Sequence, residues 1–151
     1  MKNGLPLGLE IKKLKIIEDS RGSVNHFLNE KSDSFERFGE AYFSKINHGV
    51  IKGWKTNLGL TQNMCVIKGE VLFVFYDDRK DSKTFGYFKE ILLNDSHNYC
   101  LLTIPKNLWY SFKCLSQETA IVANIIDMPH NDSKSKSIAL DDTMIPYNWV
   151  V

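Results

Sequence analysis

The chain has no excess of either charge. Nineteen Lys and Arg stand against eighteen Asp and Glu, a formal net charge of +1 over 151 residues. That leaves little electrostatic footing for nucleic-acid binding, although a small anionic ligand needs only a few local cations. No apolar run approaches the ~18 residues of a membrane span, and the opening MKNGLPLGLEIKKL lacks the apolar centre of a signal peptide. Cysteine is scarce. Cys65, Cys100 and Cys114 each lie in an apolar run and none forms a CxxC pair, so they read as reduced core thiols of a cytoplasmic protein. Also missing are any amphipathic helix longer than two turns, an internal repeat and a low-complexity linker.

What is present is a folded, β-rich composition, 43% hydrophobic and 12% aromatic. Residues 1–151 read as one domain, long enough to bury a sizeable core. The pattern predicts strands over Leu9–Asp19, Val24–Leu28, Ala41–Ile46 and Val50–Lys55. It predicts a hairpin over Met64–Tyr76, turning at Lys68-Gly69. Further strands follow over Phe85–Leu93, Tyr99–Ile104, Trp109–Leu115 and Ala120–Ile126, the second of them stopped by Pro105. Asn29–Gly39 and His130–Ser137 read as polar loops, and Gly53 and Gly59 as the brackets of a sharp corner. The apolar, aromatic tail from Ile138 is expected to pack on the body. About nine or ten short strands make an all-β sandwich or barrel.

Two spacings narrow this. Gly49, Lys55, Asn57, Gln62 and Gly69 follow G-x5-K-x-N-x4-Q-x6-G, and Pro105, Asn107, Tyr110 and Cys114 follow P-x-N-x2-Y-x3-C. These resemble the two motifs of the cupin family, a double-stranded β-helix or jelly-roll barrel. The family's metal ligands would fall on Lys55, Asn57, Gln62 and Tyr110. A protonated ammonium cannot ligate and amides are weak donors, so no metal is expected and the barrel mouth should be a polar pocket.

Around that pocket Lys55 is a candidate acid or base if burial lowers its pKa, or a surface cation that neutralises a phosphate. Tyr110 is a candidate proton donor to a carbanion, or a satisfied core phenol. His130 lies in a Met-Pro-His-Asn-Asp turn and Asp142 in an Asp-Asp pair before the tail. Arg21, Lys52 and Arg79 are the cations placed at the rim, although Arg79 follows Asp77-Asp78 and could pair with them. Trp54 and Trp109 either stack on a ring of a ligand or fill the barrel.

Longer runs carry a closer likeness. Asp19-Ser20-Arg21-Gly22, Gly49 to Trp54, Gly69-Glu70-Val71, Tyr76 to Arg79 with Asp81 to Gly86, Ile104-Pro105, Asp141-Asp142 and Ile145-Pro146-Tyr147-Asn148-Trp149 span nearly the whole chain. Together they resemble the short branch of the deoxythymidine diphosphate-4-dehydrorhamnose 3,5-epimerases. That resemblance implies a metal-independent enzyme, without cofactor, that removes and returns a proton beside the ketone of a nucleotide-diphosphate sugar destined for surface polysaccharide. It implies a base at Lys55, where the family has His, a carboxylate partner at Asp142 and an opposing acid near His130. Lys52 and Arg21 would meet the diphosphate; Asn57 and Gln62 from the cupin spacing, Arg79 at the rim and Trp109 as a stacking ring are the further candidate substrate-binding residues. The Arg21 segment reaches into a partner subunit in the family, which implies a homodimer. The displaced His raises an alternative, a nucleotide-sugar-binding or scaffold protein with impaired catalysis. A metal-dependent cupin oxygenase is the third reading, and it requires stoichiometric metal.

Overall fold

A computed structural model describes residues 4–149. The described chain forms twelve strands: β1 (Glu10–Lys13), β2 (Ile16–Asp19), β3 (Gly22–Asn25), β4 (Glu40–Ile46), β5 (Ile51–Asn57), β6 (Gln62–Lys68), β7 (Glu70–Tyr76), β8 (Phe88–Asn94), β9 (Cys100–Ile104), β10 (Trp109–Cys114), β11 (Ala120–Ile126) and β12 (Ser135–Ser137). Two five-stranded sheets carry the body, ordered β1-β9-β6-β11-β4 and β12-β5-β10-β7-β8, and β2-β3 is a separate hairpin. This is the all-β jelly roll expected from the spacing. Among the described residues no helix is long and apolar enough to cross a membrane.

Strand alternation builds the core. Along β7, Val71, Phe73 and Phe75 pack inward with Phe112 of the same sheet and Leu102 and Ile104 of the opposite one, while Val74 points the other way. The Phe73 and Phe75 rings lie nearly parallel, 6.3 Å apart. The outer face of the β5-β10-β7 sheet is also covered. Trp54, Val74, Trp109 and Ile145 form a second buried cluster against Ile138, Leu140, Tyr147 and Trp149. The tail therefore does pack on the body, as its apolar pattern requires; Val150 and Val151 lie outside the described residues.

Five local expectations change. Leu9–Asp19 is two strands, because Leu14 and Ile16 dip onto the outer cluster of Cys65 and Tyr99 and redirect the chain into the hairpin. Strand β3 begins at Gly22 and ends at Asn25, and β8 begins at Phe88 rather than Phe85. The polar loop from His130 holds a 3-10 turn (His130–Asp132) and β12, which pairs with β5. Lys68-Gly69 is not a hairpin turn. Strands β6 and β7 belong to opposite sheets, and Gly69 is the corner between them. Its φ of +82° and the 2.5 Å that would separate a Cβ from Ser116 Oγ explain the glycine.

Candidate functional site

Gly53 sits within β5, not at a corner, and its role is register. Lys55 pairs with Tyr110 and Lys52 with Phe112, so two β5 residues, Gly53 and Trp54, oppose the single Ser111. This is a β-bulge, which re-aims side chains on the bulged strand. In an unbroken strand, positions 52 and 55 face opposite ways. Here Lys52 and Lys55 line the same pocket, while Trp54 is sent to the outer cluster. Only glycine fits: a Cβ at position 53 would lie 2.5 Å from Ser111 Cβ and 2.7 Å from its Cα.

The pocket opens between β4 and β5, the facing strands of the two sheets. It has a volume of about 230 Å³ and is lined by Tyr42, Ser44, Lys52, Gly53, Lys55, Met64, Tyr110, Phe112 and His130. Among the described residues, no carboxylate lines it. Lys55 is half-buried, and its Nζ lies 3.4 Å from His130 Nε2. Desolvation lowers the Lys55 pKa from its ordinary value. His130 is fixed by its backbone N–H, which donates to Glu40 Oε2 at 2.7 Å, and by the Tyr42 ring, edge-on at 5.7 Å. Lys52 Nζ donates to the Lys45 carbonyl at 2.6 Å and so bridges the two sheets at the mouth.

Below this pair lies a polar floor. Tyr110 donates to Gln62 Oε1 at 3.1 Å, and Asn124 donates to the same oxygen at 3.1 Å. Asn124 also donates to the Tyr42 hydroxyl at 2.8 Å. Asn57 hydrogen-bonds Tyr110, and burial holds the Tyr110 pKa well above the ordinary phenol value. Tyr110, Asn57 and Gln62 thus satisfy one another in the interior. Tyr42 differs: its oxygen accepts from Asn124 within the pocket wall, leaving its own proton for a ligand. Burial raises its pKa too, which keeps that proton in place.

Several expected site residues stand elsewhere. Trp109 alternates with Tyr110, so it faces the outer cluster, and its Nε1 donates to Asp78 Oδ2 at 2.9 Å. Arg79 donates to both Asp77 oxygens, from Nε at 2.7 Å and Nη2 at 2.8 Å, and from Nη2 to the Leu7 carbonyl. Asp142 accepts from the Met144 backbone at 2.8 Å and lines a separate depression with Pro146 and Tyr147. Arg21 lies at the tip of the β2-β3 hairpin, 2.6 Å from Asp19. Tyr42 and Ser44 escaped the sequence reading, although the alternation of AYFSKI puts both on one face of β4. Among the described residues, no three His, Cys, Asp or Glu side chains gather as a metal site requires.

The fold and the pocket together define a jelly-roll protein with a small, carboxylate-free basic cavity at the barrel mouth. Residues 7–151 match the sequence profile of the dTDP-4-dehydrorhamnose 3,5-epimerases, and the chain belongs to that family. It is 30% identical over 144 residues to the spore coat polysaccharide biosynthesis protein SpsL of Bacillus subtilis, covering 94% of this chain and 95% of that one. A dTDP sugar isomerase from Desulfovibrio desulfuricans superposes with a TM-score of 0.92 at 35% identity, covering 95% of this chain and 92% of its own. An epimerase RmlC from Legionella pneumophila, solved with dTDP-4-keto-L-rhamnose, superposes with a TM-score of 0.80 at 28% identity, covering 95% and 79%.

Proposed function

We propose that this protein is a metal-independent isomerase or epimerase of a nucleotide-linked 4-keto sugar, feeding the synthesis of a surface polysaccharide. The observation that carries the reading is the partly desolvated Lys55 beside His130, in a pocket with no carboxylate among its described lining residues, at the mouth of a fold that belongs to an epimerase family. The cavity of about 230 Å³ is smaller than the roughly 300–1,000 Å³ that encloses a whole drug-sized ligand. It takes the sugar ring, and the diphosphate lies outside beside Lys52. Lys55 and His130 share the proton transfer, and Tyr42 hydrogen-bonds the developing enolate oxygen. Tyr110, Asn57 and Gln62 form the floor that orients Tyr42 through Asn124. Asp142 is engaged in its own turn, so Lys55 works without a carboxylate partner.

A homodimer belongs to the same proposal. Among the described residues no third strand joins the β2-β3 hairpin, and its paired Ile17 and Val24 are 47% and 62% exposed. An isolated two-stranded ribbon is marginal in water, so a second copy is the cover we assign to it. Arg21 at its tip then reaches the partner's diphosphate. Three buried free thiols support a reducing, cytoplasmic setting.

The test is the exchange of solvent deuterium into the carbons flanking the ketone of dTDP-4-keto-L-rhamnose. Incorporation that depends on the enzyme supports the reading. A second reading, sugar-nucleotide binding without turnover, is favoured by Asn57, Gln62 and Tyr110, whose polar atoms are spent on one another. Tight binding with no exchange would select it.

A further inference from the structure

We propose that Lys55 acts as a nucleophile that forms a Schiff base with the ketone of the sugar, so that the protein handles its substrate covalently. The inference rests on the reading of the ligand as a keto sugar and deepens it.

Three features of the pocket point this way. The first is the partner of Lys55. An ammonium donates hydrogen bonds only, so at 3.4 Å from Lys55 Nζ, His130 Nε2 must be the neutral acceptor, or else the amine is neutral and accepts from Nε2–H. In either form a proton can pass between them, and one form is the free amine that attack requires. The second is the company. Nine residues line the cavity and none is Asp or Glu, while Lys52 places a second cation on the same wall. The described lining thus gives the Lys55 ammonium no ionic partner, and a lysine whose charged form is disfavoured in this way is activated as a nucleophile. Desolvation acts in the same direction. The third is the acid. The Tyr42 hydroxyl keeps its proton free for a carbonyl oxygen, since Asn124 occupies the oxygen.

The steps balance without a redox partner. The Lys55 amine attacks the ketone carbon, a C–N bond forms, and the carbonyl π pair moves to oxygen, which takes the Tyr42 or His130 proton. The carbinolamine loses water to give the protonated imine. That iminium withdraws electrons from the neighbouring C–H bond, His130 takes the proton, and the C–H pair becomes the enamine C=C bond. A proton returned on the other face inverts the carbon. Water then adds to the iminium and releases ketone and amine, so the water lost in the first half is consumed in the second.

The experiment uses the full chain with dTDP-4-keto-L-rhamnose and sodium borohydride, read by intact mass and peptide mapping. Reduction of the imine to a secondary amine predicts a mass gain of one ligand less one oxygen, located on Lys55. Lys55→Arg and Lys55→Gln, each checked by thermal melt, should lose the adduct, and two substitutions guard against one that fails to fold. A parallel sample without reductant in D2O reads exchange beside the ketone. Adduct at Lys55 with exchange supports the proposal and the epimerase reading together. Adduct at Lys55 without exchange supports the Schiff base and overturns the epimerase reading. Exchange without adduct, or an adduct only on other lysines, overturns the Schiff base. Neither signal overturns both.

Discussion

Two charged sites in this molecule answer opposite needs. In the loop after β7, Asp77 is fully buried and saturated. It accepts from Arg79, from Ser82 Oγ at 2.7 Å and from Thr84 Oγ1 at 2.6 Å. Burial alone would raise its pKa, but these hydrogen bonds outweigh burial and hold the carboxyl at about 2. At the barrel mouth Lys55 has an imidazole in place of a carboxylate, and its charge is disfavoured. The first site spends every polar atom on the fold. The second leaves a nitrogen and a hydroxyl proton free. The Asp-Arg-x-Asp-Ser run, so conspicuous in the sequence, is a loop clamp.

The comparison can be broken in order of expected effect. Lys55→Gln should lower deuterium exchange by about 10²–10⁴-fold, with a melting temperature no lower than the parent, since no ion pair is lost. In the parent, exchange should rise with pH as Lys55 loses its proton, with a midpoint below the ordinary lysine value, because burial lowers that pKa. Asp77→Asn should do the reverse. It removes one partner of a buried pair and should cost about 3 kcal/mol by denaturant titration, while the folded fraction keeps its exchange rate. A drop in specific exchange equal to that of Lys55→Gln would show that the two sites are not separable.

A finer test uses acid. The folded pKa of Asp77, about 2, lies below its ordinary 3.8, so the folded state binds fewer protons there. Its stabilisation is present above the ordinary value and is lost as pH falls towards 2. The unfolding free energy from denaturant titration should rise with pH across that window in the parent and change less in Asp77→Asn. The smallest effect on the chain itself is expected from Val24→Glu. It should convert a dimer to a monomer by light scattering with a stability change within about 0.5 kcal/mol for the monomer. A persistent dimer would remove the hairpin from the interface.

Much of this was legible in the linear chain. Alternation located most of the strands, because one side of each faces a core and residue period is a local property. The two spacings and the longer runs placed the chain among jelly-roll epimerases. Where the reading went astray, a non-local contact decided. Lys68-Gly69 looks like any hairpin turn, and only sheet membership reveals a corner. Arg79 and Trp109 each had two readings in the sequence, and their hydrogen bonds to Asp77 and Asp78 select the structural one.

What the sequence determined by itself, then, is the all-β class and the family. Tertiary structure decided which side chains share a pocket. Lys52 and Lys55 face the same way because β5 bulges against Ser111, and glycine at position 53 permits that close approach, where a Cβ would meet Ser111. Lys55 meets His130 across 75 positions of sequence, and Tyr42 is held by Asn124 from the neighbouring strand. Such pairings follow from strand register, which packing of the whole sheet sets and no local pattern specifies.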